Sequence, residues 1–216
     1  TGFYDRGLSE VRALPGVSSA AYISFLPLGD MRGGLFPVGI SGRVESRRED
    51  NVAFLRYVTP GVFQTLGIPI LQGRDVRDAD HLGRQPVAIV SASFMTQFFP
   101  GQAALGRRID FAGADREIVG VVADVKMREL TGVSEPQVYL PHRQLPDRTY
   151  ESFAPEDLAV RATGHPLALV SAVRAIVKRA DAEVPLSDIQ TLEQLVDGGL
   201  ASRGTEVRGL GAFAGV

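Results

Sequence analysis

The chain has 216 residues, of which 44% are hydrophobic and 22% are charged, and its formal net charge is -2. This composition suits a globular domain with its own core and excludes a disordered or fibrous protein. The small net charge gives no general attraction to nucleic acid, and the lack of cysteine excludes disulfides and thiolate metal ligands. The composition fits the cytosol, and it equally fits a periplasmic domain that folds without oxidation.

The two ends of the sequence resemble the cut ends of a longer chain. The sequence opens at Thr1-Gly2-Phe3 without a Met, and it stops inside an apolar run that begins at Leu210. We therefore expect an excised fragment. The alternative is a tag-trimmed soluble protein with a loose tail.

The first part of the chain predicts one helix, several strands and a short capped helix. Apolar residues at helical spacing predict a helix over 4–14. Runs of small and β-branched residues predict strands at 17–26, 36–40, 52–58 and 68–71. The charged connector 41–51 is typical of a solvated hairpin tip. Next, Thr59 is predicted to cap a short helix, Pro60 to occupy its first position and Gly67 to end it.

The rest of the chain predicts a β-rich unit followed by a long amphipathic helix. Short apolar or alternating runs predict strands at 86–90, 107–111, 117–125, 137–140, 158–162 and 184–189. Ser91 is predicted to cap a short helix, and the clearest helix is predicted over 166–180. Thr191 and Gln194 form a capping box that opens a last helix through about Leu200.

This order of elements favours an α+β fold with an inserted subdomain. Residues 52–71 and 158–189 each follow a strand–helix–strand order, which suits a unit whose helix packs on one face of a sheet. Residues 86–141 read as a separate, mainly-β unit between them.

The sequence carries no motif for nucleotide, dinucleotide or metalloprotease chemistry. It has neither a G-x-x-x-x-G-K-[ST] phosphate loop nor an H-E-x-x-H motif. The glycine-rich stretch 29–34 lacks the strand and helix that flank a dinucleotide loop. The string Gly39-Ile40-Ser41-Gly42 opens a charged hairpin and not a nucleophile turn. We therefore predict no enzyme activity, no catalytic residue and no cofactor.

Two polar sets are weak candidates for a metal site. The first set is the three histidines, His81, His142 and His165. They lie far apart in loop-like segments, so a metal site, or a cryptic hydrolase site assembled from scattered residues, is only an alternative. The second set, Asp75, Asp78 and Asp80, lacks the glycine and final glutamate of a calcium loop, which predicts a solvated loop.

One aromatic stripe is a candidate binding surface. Phe94, Phe98 and Phe99 recur at helical spacing. Such a stripe predicts core packing, and a partner-binding patch is the alternative.

Several short phrases follow one another along nearly the whole chain in an order typical of a known family. The most specific joins Gly73-Arg74-Asp75 to the preceding Val58-Thr59-Pro60-Gly61-Val62-Phe63-Gln64-Thr65-Leu66-Gly67-Ile68-Pro69. The others lie at 11–17, 86–91, 98–101, 105–109, 118–125, 138–141 and 192–197. Together they resemble the MacB-like periplasmic core domain of FtsX/MacB/LolC-type ABC-transporter permeases. The chain departs from the family pattern at His165, where an Asp is usual, and over 201–209.

The resemblance implies a fold and a location. The fold would be α+β, with a porter-like βαβ-containing subdomain, residues 1–85 plus 142–200, and an inserted mainly-β (sabre-like) subdomain, residues 86–141. Residues 201–216 would start the truncated second membrane-helix region. The chain would be the periplasmic domain of a bacterial inner-membrane permease, placed between the first and second of its four membrane helices.

The resemblance also implies partners and a mechanism. A separate cytoplasmic ABC ATPase, a second permease copy and a periplasmic adaptor would be the partners, with no nucleic acid. ATP-driven closure would be transmitted mechanically to this domain for substrate export or extraction, with residues 4–14 and 191–200 as candidate levers. The alternative is a regulatory or sensory ectodomain of an FtsX-like permease that activates a periplasmic partner. Neither the substrate nor any residue that binds it follows from the resemblance.

Overall fold

The structure is a computed structural model that describes residues 2–27, 34–40, 51–126, 134–145, 155–180 and 187–198. Its α-helices are α1 (Gly2–Arg12), α2 (Val62–Leu66), α3 (Ala92–Phe98), α4 (Val170–Ala180) and α5 (192–198). Two 3-10 helices span His142–Gln144 and Pro166–Leu169. Of the sequence-based predictions, residues 41–50 of the hairpin tip 41–51 and the region 201–216 lie outside the described residues.

The strands of the described residues form one mixed sheet of ten strands. They are β1 (Val17–Ile23), β2 (Leu35–Pro37), β3 (Gly39–Ile40), β4 (Val52–Val58), β5 (Ile70–Gly73), β6 (Val87–Ser91), β7 (Arg108–Phe111), β8 (Ala114–Val122), β9 (Gln137–Pro141) and β10 (Asp157–Ala162). The order across the sheet is β10-β1-β4-β9-β6-β8-β7-β3, with β2 also paired to β4 and β5 to β8. The pairs β4–β9 and β6–β8 are parallel, and the remaining pairs are antiparallel.

Helices cover both faces of this sheet because its central strands are apolar on both sides. On β9, Val138 and Leu140 enter the core cluster beneath α3, whereas Tyr139 enters the cluster beneath α2. Successive side chains of a strand point to opposite faces, so a run of buried residues needs two covering layers. Phe63 of α2 packs edge-to-face on Tyr139 with ring centroids 5.1 Å apart.

A third core cluster seats α1 and α4 against β1. Leu8 and Val11 of α1 and Ile176 of α4 are buried there together with Tyr22 of β1. The spacing of Leu8 and Val11 places both side chains on one face of the helix. The predicted helices over 4–14 and 166–180 are confirmed, the second one starting as a 3-10 turn.

The predicted start of the short helix α2 is wrong, both for Thr59 as its cap and for Pro60 as its first residue. The helix begins at Val62 behind Gly61, whose φ is 87°, and no side chain caps it. The left-handed glycine turns the chain between Pro60 and the helix, so the Thr59 hydroxyl faces β1. There it accepts a hydrogen bond from the Tyr22 amide at 2.8 Å. The predicted end of the helix at Gly67 is confirmed, with φ at 73°.

One predicted strand near the end of the described chain is also wrong. Residues 187–189 are not in a strand, and Asp188 has a φ of 52°, which an extended strand does not allow. The other part of that predicted strand, 184–186, lies outside the described residues. The capping box that follows is confirmed, since the Thr191 amide bonds Gln194 Oε1 at 2.8 Å and the Gln194 amide bonds Thr191 Oγ1 at 3.2 Å.

The sheet is continuous across the predicted subdomain boundaries. Strand β9 pairs with β4 from Phe54–Gln137 to Val58–Pro141, and β5 pairs with β8. The division at residues 86 and 141 stays a prediction. None of the described helices is long and apolar enough to cross a membrane.

Candidate functional site

Arginine 12 fastens the C-terminal end of α1 to two other elements. Its Nε donates to the carbonyl of Ala20 in β1 at 2.9 Å. Its Nη2 donates to the carbonyl of Pro60, in the turn before α2, at 2.6 Å. Partial burial lowers the pKa of Arg12, while the nearby charge of Asp78 acts in the opposite direction. Even so, the guanidinium remains charged at any ordinary pH, and hydrogen bonds from a charged donor are the stronger ones.

The N-terminal half of α1 is fastened to the 3-10 helix that follows β9. Asp5 Oδ1 accepts a hydrogen bond from Arg143 Nη2 at 2.8 Å. The same Nη2 lies 3.5 Å from Asp78 Oδ1, in the loop after β5. The hydrogen bond from Arg143 to Asp5 raises the pKa of Arg143 above its ordinary value. Because the Asp5 side chain is 40% exposed, solvent screens this pair and its stabilisation is about 1 kcal/mol or less.

The rings of Tyr22 and His142 lie beneath the N-terminal half of α1. Tyr4 packs edge-to-face on Tyr22 with centroids 5.2 Å apart and on His142 at 5.9 Å. Burial raises the pKa of both tyrosines. On the outer side of the helix, Arg179 of α4 donates to Glu10 at 2.6 Å, although both side chains are largely exposed.

We name this set of contacts the α1 junction; it consists of Tyr4, Asp5, Glu10, Arg12, Tyr22, Pro60, His142, Arg143 and Arg179. The junction connects one helix to the sheet, to the turn before α2, to the segment after β9 and to α4. Residues 4–14 were predicted to form a lever, but these partners of the helix were not predicted. Asp5 and Arg143 are 138 residues apart, and neither carries a local signal.

The motif Gly73-Arg74-Asp75 folds the following loop beside the junction. Arg74 donates two hydrogen bonds, of 2.7 and 2.9 Å, to the Asp80 carboxylate. Asp80 also accepts a hydrogen bond from the Arg77 amide at 2.8 Å. Asp75 accepts from the Gly61 amide at 3.1 Å, which ties the loop to the start of α2. The charged groups of the motif, Arg74 and Asp75, therefore stabilise the loop, and the motif supplies no reactive group.

The predicted solvated loop is wrong for two of its three aspartates. Asp80 is 7% exposed and Asp75 is half-buried, because Arg74 and backbone amides satisfy their carboxylates. Only Asp78 has a largely exposed side chain, at 77%. Burial raises the pKa of Asp75. At Asp80 burial also opposes ionisation, but the hydrogen bonds from Arg74 and Arg77 outweigh it and lower the pKa.

Replacing Asp80 by asparagine should destabilise the domain by about 2 kcal/mol at neutral pH, because a charge-assisted pair with Arg74 is lost. The folded-state pKa of Asp80 lies below its ordinary value of 3.8, so the carboxylate stabilises the fold above that pH. This stabilisation by the Asp80 carboxylate is lost as the pH falls through its folded-state pKa. Urea unfolding of Asp80→Asn at neutral and acid pH checks this, with the exposed Asp78→Asn as matched control. An equal loss of unfolding free energy in Asp80→Asn and Asp78→Asn would contradict this prediction.

The structure does not bring the three histidines together. His81 is exposed and places Nδ1 2.7 Å from its neighbour's carbonyl, that of Leu82. His165 stands before the 3-10 turn without a side-chain capping bond, and His142 is buried. In the described part of the chain, no three His, Asp or Glu side chains are arranged to hold a metal ion.

The aromatic stripe lies in the core beneath the sheet. Phe94, Phe98 and Phe99 are each 3% exposed or less, which confirms the predicted core packing. Ser91 caps their helix by accepting from the Phe94 amide at 3.2 Å, as predicted. The stripe is therefore not a surface patch.

Three solved structures share the fold of this domain. The periplasmic region of MacB from Actinobacillus actinomycetemcomitans has a TM-score of 0.58 at 13% identity, covering 80% of this chain and 72% of that one. The extracellular domain of the noncanonic ABC-type transporter YknZ from Gram-positive bacteria has a TM-score of 0.54 at 12% identity, and the match covers 82% of this chain and 80% of that one. A domain of a putative permease from Porphyromonas gingivalis has a TM-score of 0.51 at 19% identity, and the match covers 87% of this chain and 86% of that one.

The family follows from the sequence itself. The profile of the MacB-like periplasmic core domain matches residues 3–183, and the chain belongs to this family. It is thus the periplasmic domain of an ABC-transporter permease, with the α+β fold that the resemblance implied. A search of curated proteins finds no match.

Proposed function

We propose that this domain couples ATP hydrolysis by a separate cytoplasmic ATPase to the export or extraction of a substrate, by mechanical transmission. The α1 junction carries the proposal. One short helix is bonded through Arg12 to β1 and to the turn before α2, and through Asp5 to the segment after β9. These elements are, or directly follow, the three neighbouring strands β1, β4 and β9, so a displacement of α1 pulls on several strands at once.

The junction suits transmission because its bonds are spread along the helix. Arg12 acts at the last residue of α1, Asp5 about two turns earlier, and Leu8 and Val11 are buried between them. A helix held at several points moves with the domain, whereas a helix held at one end would swing without moving it. Coupling also requires an element with two arrangements, which the parent permease would supply through its membrane helices.

The proposed partners follow from membership of the family. They are a cytoplasmic ABC ATPase, a second copy of the permease and, in systems that use one, a periplasmic adaptor. The substrate-binding residues and the adaptor surface are not assigned. The domain works through its surfaces and its motion, without covalent chemistry.

Distance measurements in the parent complex test the proposal. The chain contains no cysteine, so Ser171→Cys on the exposed side of α4 gives one spin label per domain. In the permease reconstituted with its ATPase, we expect the distance between the two copies' labels to change when ATP binds. The change should shrink by about half or more in Arg12→Gln, which loses both anchoring bonds, and persist in the matched control Arg6→Gln on the exposed face of α1.

Two results would overturn the proposal. The first is an unchanged distance between the periplasmic labels while labels on the cytoplasmic side respond to ATP. The second is a periplasmic movement that activates a cell-wall hydrolase encoded beside the permease and moves no substrate, which would establish the regulatory function instead.

A further inference from the structure

We propose that acid releases α1 from the domain, because α1 covers His142 and burial without a hydrogen-bond partner among the described residues disfavours the protonated imidazole. The proposal adds a means of regulation to the α1 junction, and its significance for transport rests on the function proposed above. Its physical content concerns the 216-residue chain alone.

His142 is enclosed between the sheet and the first helix. It opens the 3-10 helix after β9 and is 5% exposed. Tyr4 packs against its ring with an interplanar angle of 75°, and Asp5 Oδ1 lies 3.9 Å from Nε2. Within the described residues, neither Nδ1 nor Nε2 has a hydrogen-bond partner. Two of the side chains around the ring, Tyr4 and Asp5, therefore come from α1.

A neutral imidazole tolerates this environment better than a charged one does. Imidazolium carries two N–H donors, and a buried charge without hydrogen-bond acceptors is strongly unfavourable. Asp5 is the nearest anion, but its Oδ1 already accepts from Arg143 at 2.8 Å. A proton on His142 is accommodated when α1 moves away and water reaches the ring.

The charged groups around the ring do not compensate for burial. Burial is the largest influence and lowers the pKa of His142 to about 4. Asp5 on α1 and the carbonyl of Val58 at the end of β4 favour the protonated ring, the latter without hydrogen-bond geometry. Arg143 beside it opposes protonation. The next charge outward, Asp78, lies against Arg143.

The first helix is held by fewer buried residues than the central strands are. Its cluster has five buried residues, fewer than the two clusters of the central sheet. Its ion pairs with Arg143 and Arg179 are partly or largely exposed, and such pairs contribute little. Elements with few buried contacts open at lower free energy than buried central strands do.

The expected acid effect follows from linkage. The covered histidine has a pKa of about 4, and an exposed one has the ordinary value of 6.5. Because the released state binds the proton more tightly, acid favours release below pH 6.5, and the effect levels off below about pH 4. Between about pH 7.5 and about pH 5, the equilibrium constant for release should rise about 30-fold.

Hydrogen exchange measured at these two pH values tests the proposal. After correction for intrinsic exchange rates, the amides of α1 should lose protection by roughly 10- to 30-fold at the lower pH, relative to those of β6 and β8. His142→Phe and His142→Gln should each abolish this loss, and the matched control His165→Gln should retain it. Using both variants guards against one that folds poorly.

Three results would overturn the proposal. One is an equal loss of protection in α1 and in the central strands, and another is no loss in the natural chain. The third is an undiminished loss in either His142 variant. These outcomes leave the proposed coupling function intact, because exchange in the isolated chain does not involve the ATPase, and a rigid junction could still transmit movement.

Discussion

Replacing Gly73 by alanine is expected to destabilise the domain by about 4 kcal/mol or more and to abolish folding if the natural stability is smaller. Gly73 has a φ of 73°, and a Cβ there would overlap the carbonyl oxygen of Val119 on β8. Gly120 lies opposite on β8, where a Cβ would overlap the carbonyl oxygen of Arg74. Since the obstructing atoms are backbone, no rotamer change relieves either overlap.

Chemical unfolding followed by circular dichroism measures this effect, and two further glycines separate its causes. Gly101 also has a positive φ, 69°, but a Cβ there meets no atom within 4 Å. Gly101→Ala should therefore cost only about 1 kcal/mol, the conformational part of the effect. Gly120→Ala should show the steric part, since its φ is not left-handed. Equal midpoints for Gly73→Ala and Gly101→Ala would contradict the prediction.

The elements that the sequence predicted are those specified by neighbouring residues. Gly67, Ser91 and the Thr191–Gln194 pair act on backbone groups within five residues of themselves, so their patterns are visible in one short stretch. The face of α4 follows from apolar residues at helical spacing in the same way. The prediction that Thr59 caps α2 was wrong because the Tyr22 amide on β1 takes up its hydroxyl.

The α1 junction and the sheet order could not be derived from local patterns. The contacts of Arg12 with Pro60 and of Asp5 with Arg143 join residues far apart in sequence, and arginine or aspartate at those positions looks like any exposed charge. The buried state of Asp80 likewise depends on Arg74 folding back over six residues. The family resemblance pointed to the Gly73-Arg74-Asp75 phrase, and the structure assigns it a physical role: it holds the loop beside α2.

Gly73 and the α1 junction are linked through the same loop. The glycine lets β5 cross close to β8, and the residues after it then place Asp75 against Gly61 and Asp78 against Arg143. A loss of the crossing should therefore also loosen the contacts around α1.

Replacing Phe94 by alanine should destabilise the domain by about 3–5 kcal/mol, because the ring is fully buried and leaves a cavity. Its neighbours cannot fill the space easily, since the Phe98 ring, with its centroid 4.4 Å away, is itself packed under the sheet. Met95 on the same helix is only half-buried, so Met95→Ala should cost roughly 1 kcal/mol and serves as the matched control. Urea unfolding of both variants measures the difference. If Phe94→Ala unfolded like Met95→Ala, the stripe would not be part of the core, and its role as a partner surface would have to be reconsidered.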